Sequence, residues 1–240
     1  MNLFLVLTFL FFSGSIIGWG IELIWRRFFS KNNPERKWIN PGFLIGPYLP
    51  LYGFSLIILF SLSYIDVSFV KNEYLQKVVL FIFMALMITI FEFIAGLIFI
   101  KGMKIKLWDY SSCFGNIMGI VCVKYTFFWW VLSGIYYFLI HPKILEWLFW
   151  FTNHLSFCFV IGFFYGVFTI DLIYSLKLLA KLRKFAAENK VVIHFTELQR
   201  NIRKSNEERK QKIYFWLSTK TEENSLFENL KKVYEKFKIQ

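Results

Sequence analysis

Glu22, Glu92, Lys124 and Asp171 lie within or at the rim of stretches otherwise built from Phe, Leu, Ile, Trp, Tyr, Gly and Ser. A charge in hydrocarbon is costly, so such residues usually face a protein interior, a partner charge or a water-filled path. Carboxylates there can hold a cation, relay a proton, ligate a divalent ion or act as general acid or base. A lysine can serve as counter-ion, and a Glu92–Lys124 pair would lower the desolvation cost of both. Glu22 has a nearer candidate, Arg26, one helical turn on. Asn116, Ile120 and Lys124 fall at i, i+4 and i+8, which predicts one helical face with Lys124 deepest. Asp171 reads either as part of the polar site or as the mark of a membrane exit.

The elements that must position these residues are membrane spans. Of the 240 residues, 57% are hydrophobic and 22% aromatic, a composition that belongs to a polytopic membrane protein. The expected fold is all-α, a bundle of about five spans at roughly 2–25, 43–64, 77–100, 112–140 and 148–175. The domain division is a transmembrane part, 1–176, and a basic helical tail, 177–240. No basic residue precedes the first apolar run, so it reads as a retained span rather than a cleaved signal.

Charge sets the orientation. Arg26, Arg27, Lys31, Arg36 and Lys37 follow the first span, Lys101, Lys104 and Lys106 the third, and Lys177, Lys181, Arg183 and Lys184 the fifth. The alternate loops are poor in Lys and Arg, so the positive-inside rule predicts an outside N-terminus and a cytoplasmic tail. That tail carries 16 Lys/Arg against 8 Asp/Glu, within a net charge of +12. Anionic lipid explains the excess better than nucleic acid does. Leu176, Leu179, Leu182 and Phe185 extend the last span as an amphipathic helix. Further apolar faces are expected at Ile193, Leu198 and Ile202, at Ile213, Phe215 and Trp216, and at Phe227, Leu230, Val233 and Phe237.

Two features predict how the bundle is assembled. Gly14, Gly18 and Glu22 repeat at four-residue spacing, as do Glu92 with Gly96, Gly115 with Gly119 and Gly162 with Gly166. Small residues at that spacing let membrane helices approach closely. Between Asn40 and Gly53 lie three prolines and, besides Gly53 itself, two glycines, which predicts irregular backbone at the start of the second span. Either it lines a cavity, or it is an interfacial turn before a kinked helix. Cys113, Cys122 and Cys158 sit in apolar sequence without metal-ligand spacing, and His141, His154 and His194 are scattered, so no metal site is expected.

Several motifs together resemble a known family. Gly18-Trp19 with Glu22, Asn40-Pro41-Gly42-Phe43, Gly46-Pro47-Tyr48 and Pro50-Leu51-Tyr52-Gly53 are followed by Glu92 with Gly96, Trp108-Asp109-Tyr110-Ser111 and Asn116 with Gly119. Over roughly residues 10–135 this order is similar to the bacterial membrane proteins labelled putative ABC-transporter type IV. Pro41 replaces the Arg usual in the family's Asn-Arg-Gly-Phe loop, which argues against a required cation there. The resemblance implies a permease-like component of a bacterial cytoplasmic membrane.

These 240 residues contain no Gly-rich phosphate loop, no catalytic triad and no evident cofactor site, so an ATP-hydrolysing subunit would be a separate polypeptide. The other expected partners are membrane lipids, a second copy or another membrane subunit. The candidate substrate- or proton-path residues are Glu22, Asn40, Tyr48, Glu92, Asp109, Asn116 and Lys124. A faint parallel repeat of spans 1–2 and 3–4 fits such a site. Two other functions stay open: a non-catalytic assembly or regulatory subunit, and an intramembrane enzyme acting on lipid-linked substrates through Glu22, Asp109 and Glu92.

Overall fold

Asn2 caps the first helix through its side chain, which accepts from the Phe4 amide, and Arg26 and Arg27 close the last turn where the helix dipole favours cations. This helix, α1 (Leu3–Phe28), opens a computed structural model that describes residues 2–30, 33–195 and 197–199. The chain continues through α2 (Pro50–Leu62), α3 (Glu73–Leu97), α4 (Val123–Ile135), α5 (His141–Asn153) and α6 (Cys158–Glu188). A π-turn, Ile98–Gly102, prolongs α3, and another, Tyr136–Ile140, joins α4 to α5. Two short strands, β1 (Ile105–Lys106) and β2 (Ile193–His194), pair in parallel. The expected faces at Ile202, Ile213–Trp216 and Phe227–Phe237 lie outside the described residues.

Four helical stretches are long and apolar enough to cross a bilayer: Leu3–Phe28, Glu73–Gly102, Val123–Asn153 and Leu155–Glu188. The fifth apolar segment is shorter than a span. Pro50 stands in the first turn of α2, where its missing N–H costs nothing, and the helix ends after 13 residues. At 1.5 Å per residue it is about 20 Å long, against about 30 Å of hydrocarbon. Irregular backbone from Asn40 to Leu49 precedes it, as the prolines and glycines predict.

Two expected boundaries are corrected. The fourth span starts at Val123 rather than Ser112, so Asn116, Ile120 and Lys124 do not share a helical face. Local hydrogen bonds compete with the helix here: the Asn116 side chain donates to Ser111 O and Cys113 O and accepts from the Gly119 amide. Gly115 and Gly119 hold φ of +64° and +65°, so they serve turns rather than a helix-packing face. The last span is broken near His154, where Asn153 and His154 turn their side chains back to the carbonyls of Phe149 and Trp150. Beyond the break α6 runs through Ser175 to Glu188 without interruption.

Close packing holds α1 to α2. A Cβ on Gly14 would stand 2.9 Å from Leu56 Cβ and 3.0 Å from the Tyr52 carbonyl, and one on Gly53 would stand 2.8 Å from the Phe11 carbonyl. Side chains of α1, α2, α3 and α5 fill one end of the bundle, where Phe9 stacks on Phe151 at 5.1 Å beside Leu10, Phe60 and Met84. At the other end Ile105, Leu179, Leu182 and Ile193 form a second core that binds the end of α6 to β1. Phe159, Phe163 and Ile170 project outward from α6 and are at least two-thirds exposed, as lipid-facing side chains should be.

The glycine contacts generate a test. Gly14→Ala or Gly53→Ala should destabilise the protein by about 1–3 kcal/mol through overpacking. Gly166→Ala, with no atom within 4 Å of its added Cβ, should leave the melting temperature in detergent unchanged. Equal effects at the three positions would refute the proposed crossing.

Candidate functional site

The irregular segment before α2 is held by one carboxylate. Asp171, on α6, accepts from the amides of Ile45 (3.2 Å) and Gly46 (2.8 Å), from the Tyr48 hydroxyl (2.6 Å) and from Ser175 Oγ (2.9 Å). A buried carboxylate with four donors is well satisfied, and donors to a charged acceptor make the stronger bonds. Asn40 braces the same segment from the other side. It accepts from the Trp19 indole at 3.0 Å and donates to the carbonyls of Leu44 and Ile45. The Leu49 amide reaches Ser15 O on α1 at 2.9 Å. The segment is therefore tied to both α1 and α6, and Asp171 anchors a loop rather than marking an exit.

Behind this segment lies a cavity of about 1670 Å³, walled by α1, α2, α3, α4 and the loop that follows β1. Glu22 and Glu92 both line it. Glu22 Oε1 pairs with Arg26 Nε at 3.1 Å, and its other oxygen accepts from the Tyr52 hydroxyl at 3.3 Å. Glu92 is only 3% exposed, and its Oε2 is buried without a hydrogen-bond partner among the described residues. The Trp129 indole, the Tyr110 phenol and Glu22 are the polar groups that act on it. Rings continue the wall: Tyr52 lies 5.1 Å from Trp129, and Tyr110 stacks on Tyr125 at 4.2 Å.

The other candidates divide. Tyr48, Asp109 and Lys124 line the cavity, whereas Asn40 and Asn116 do not. Tyr48 spends its hydroxyl on Asp171. Lys124 does not pair with Glu92; it stands exposed in the first turn of α4, with its ammonium 5.6 Å from the Tyr125 ring. The expected deep position fails because α4 begins only one residue earlier. Tyr52, Tyr110 and Trp129 were not singled out by sequence as polar neighbours of the carboxylates. Tyr52 and Tyr110 do fall inside quoted motifs, but Trp129 sits in an aromatic run with no distinguishing signal.

Asp109 organises the rim. It accepts from Lys106 Nζ at 2.7 Å and from the hydroxyl and amide of Ser111, and His194 Nδ1 lies 3.2 Å away. The β1–β2 pairing brings His194 there, and the Ile193 amide donates to Lys104 O at 3.0 Å. Burial pushes the Asp109 pKa up, but the bonds from Lys106 and Ser111 outweigh it and hold it at about 2, below the usual 3.8.

Two outcomes follow from these contacts. Asp171→Ala strands two loop amides and should cost about 3 kcal/mol or more, read as a lower melting temperature; an unchanged melt would mean the anchor is dispensable. For Asp109 the depressed pKa means its contribution is complete above pH 3.8 and is lost as pH falls toward 2. Hydrogen exchange at Ile193 should therefore show no Asp109-dependent step at neutral pH. Asp109→Asn should speed exchange by about fivefold, the scale of a partly exposed ion pair near 1 kcal/mol.

No curated protein and no solved structure matches the chain. A family model described as putative ABC-transporter type IV matches residues 9–176, which is more than half of the chain. Together with four apolar helices of membrane-crossing length, that match makes this chain a member of the putative ABC-transporter type IV family.

Proposed function

We propose that the protein is a membrane-embedded, permease-like transport component whose cavity, carrying Glu22 and Glu92, handles a solute or protons from the cytoplasmic side. The observation that carries this reading is Glu92 itself. A carboxylate buried at membrane depth with no basic partner among the described residues is a poor structural element, whereas beside a large cavity it is suited to a transient cation or proton. The family description points the same way.

Orientation follows from charge. The basic clusters at Arg26–Lys37, at Lys101–Lys106 and at Lys177–Lys184 follow helices α1 and α3 or continue α6, and the second core and the cavity draw these three ends together. The positive-inside rule assigns that end to the cytoplasm of a bacterial inner membrane, with the N-terminus outside and the tail inside. Energy would come from a separate ATP-hydrolysing subunit docked on the loop at Lys101–Leu107 and on the tail, because the 240 residues contain no phosphate-binding loop.

A comparison of cells lacking the protein with cells carrying wild type or Glu92→Gln tests this. Solutes inside and outside the cells would be profiled under matched expression. At least one solute should be redistributed by wild type, and its flux should fall about tenfold or more with Glu92→Gln while that variant stays folded in the membrane. Full rescue by Glu92→Gln would remove the transport reading and leave an assembly subunit in its place.

A further inference from the structure

The cavity's charge runs against that of the whole chain. The protein carries +12, yet five carboxylates, Glu22, Glu35, Glu92, Asp109 and Glu197, line the cavity against two Lys/Arg, Arg26 and Lys124. Three of the five have basic partners: Glu22 with Arg26 at 3.1 Å, Glu35 with Lys37 at 2.7 Å and Asp109 with Lys106 at 2.7 Å. Glu197 is exposed in the segment after β2. What remains inside is one buried carboxylate, Glu92, with an oxygen that no described residue satisfies.

The surroundings of that carboxylate are aromatic. Tyr52, Trp129 and Tyr110 stand around it, and Trp25 packs edge-on to Phe128 at 4.7 Å farther along the same wall. Aromatic faces carry negative quadrupole potential and attract organic cations, most strongly where water is excluded. A hard divalent ion fits poorly, since it wants six or more oxygens and the described residues hold no cluster of three His, Cys, Asp or Glu. An anion fits no better: Arg26 is already engaged by Glu22, and Lys124 stands exposed in the first turn of α4 with its ammonium by the Tyr125 ring. At about 1670 Å³ the cavity exceeds the 300–1,000 Å³ or so of a typical ligand pocket, so it has room for a bulky apolar body.

From this geometry we infer that the cavity binds an organic monocation with an apolar body, a protonated amine or quaternary ammonium, with Glu92 as counter-ion and the Tyr52, Trp129 and Tyr110 rings as its walls. The inference rests on the transport reading above and narrows its substrate class. Glu92 sets the sign of the charge, the pairing of its neighbours limits it to one, and the rings favour a diffuse cation over a compact hydrated one.

The test uses the full chain in nanodiscs of zwitterionic lipid, with equilibrium dialysis of three probes of similar size: benzyltrimethylammonium, the uncharged neopentylbenzene and the anion benzenesulfonate. Saturable binding of the ammonium alone is expected, weakened about tenfold or more by Glu92→Gln. Lys124→Met removes the competing ammonium and should keep or tighten binding; its loss would overturn the inference. So would equal ammonium affinity in wild type and Glu92→Gln. If Glu92→Gln does not fold, Trp129→Leu tests the same site, and unchanged ammonium binding there would also overturn it. Saturable binding of the neutral or anionic probe without the ammonium would sink the cation assignment and spare the cavity. Failure of all three to bind would overturn the organic-cation inference and leave the transport reading to the flux comparison above.

Discussion

Asp171 is the contact on which the membrane architecture depends. Backbone without helical hydrogen bonds survives at membrane depth only where the protein supplies partners, and the stretch from Asn40 to Leu49 has few of its own. Asp171 gives acceptors to two successive amides and to the Tyr48 hydroxyl, more than 120 residues away in sequence. Asn40 supplies donors to the carbonyls of the same turn and is itself fixed by Trp19. This allows α2 to be short. With the segment tethered to α6 at one point and to α1 at another, a 13-residue helix takes the place of a full span, and the irregular stretch becomes a cavity wall.

The crossing of α1 and α2 then places the carboxylates. Gly14, Gly18 and Gly53 bring the two backbones close enough for the Tyr52 ring to lie where a Gly18 side chain would be. From there its hydroxyl reaches Glu22, one turn beyond Gly18, and its ring meets Trp129 from α4. On α3, Gly96 leaves room for Ile120 from the loop before α4, and Glu92 lies one turn earlier, facing the enclosed space. Small residues one turn from each carboxylate thus admit a neighbour, Tyr52 at Gly18 and Ile120 at Gly96, and of these Tyr52 lines the cavity. Charge pairing leaves Glu92 as the one buried carboxylate of the cavity without a basic partner among the described residues.

A second device joins the two irregular loops at the same end of the bundle. After α6 the chain returns as β2 beside β1, sets His194 against Asp109, and reaches Gly42 through Gln199. The segment therefore touches both the loop after β1 and the one before α2. Residues 194, 195, 197 and 199 contribute to the cavity lining. The segment after α6 thus meets the rim through His194 and Asp109, whose bonds to Lys106 and Ser111 hold the loop's shape.

Much of this was legible in the residues. Hydropathy over 20 or more positions marks α1 and α3, because a spanning helix must satisfy its own backbone and present apolar side chains all round. The prolines and glycines between Asn40 and Gly53 announce irregular backbone, since Pro lacks a donor and Gly accepts unusual φ. The four-residue spacing of Glu22 and Arg26 foretells their pair. Tertiary structure decided the rest. A period of four made Asn116, Ile120 and Lys124 look helical, but side-chain bonds from Asn116 and positive φ at Gly115 and Gly119 turn the backbone first. Glu92 and Lys124 look like partners by charge and depth alone, and the late start of α4 separates them. Asp171 meets the loop at Ile45–Tyr48 only after the four intervening helices α2 to α5 have been packed, so the contact that holds the fold has no local signature: chain-local patterns register periodicity and propensity, whereas a carboxylate's partners depend on where distant segments end up.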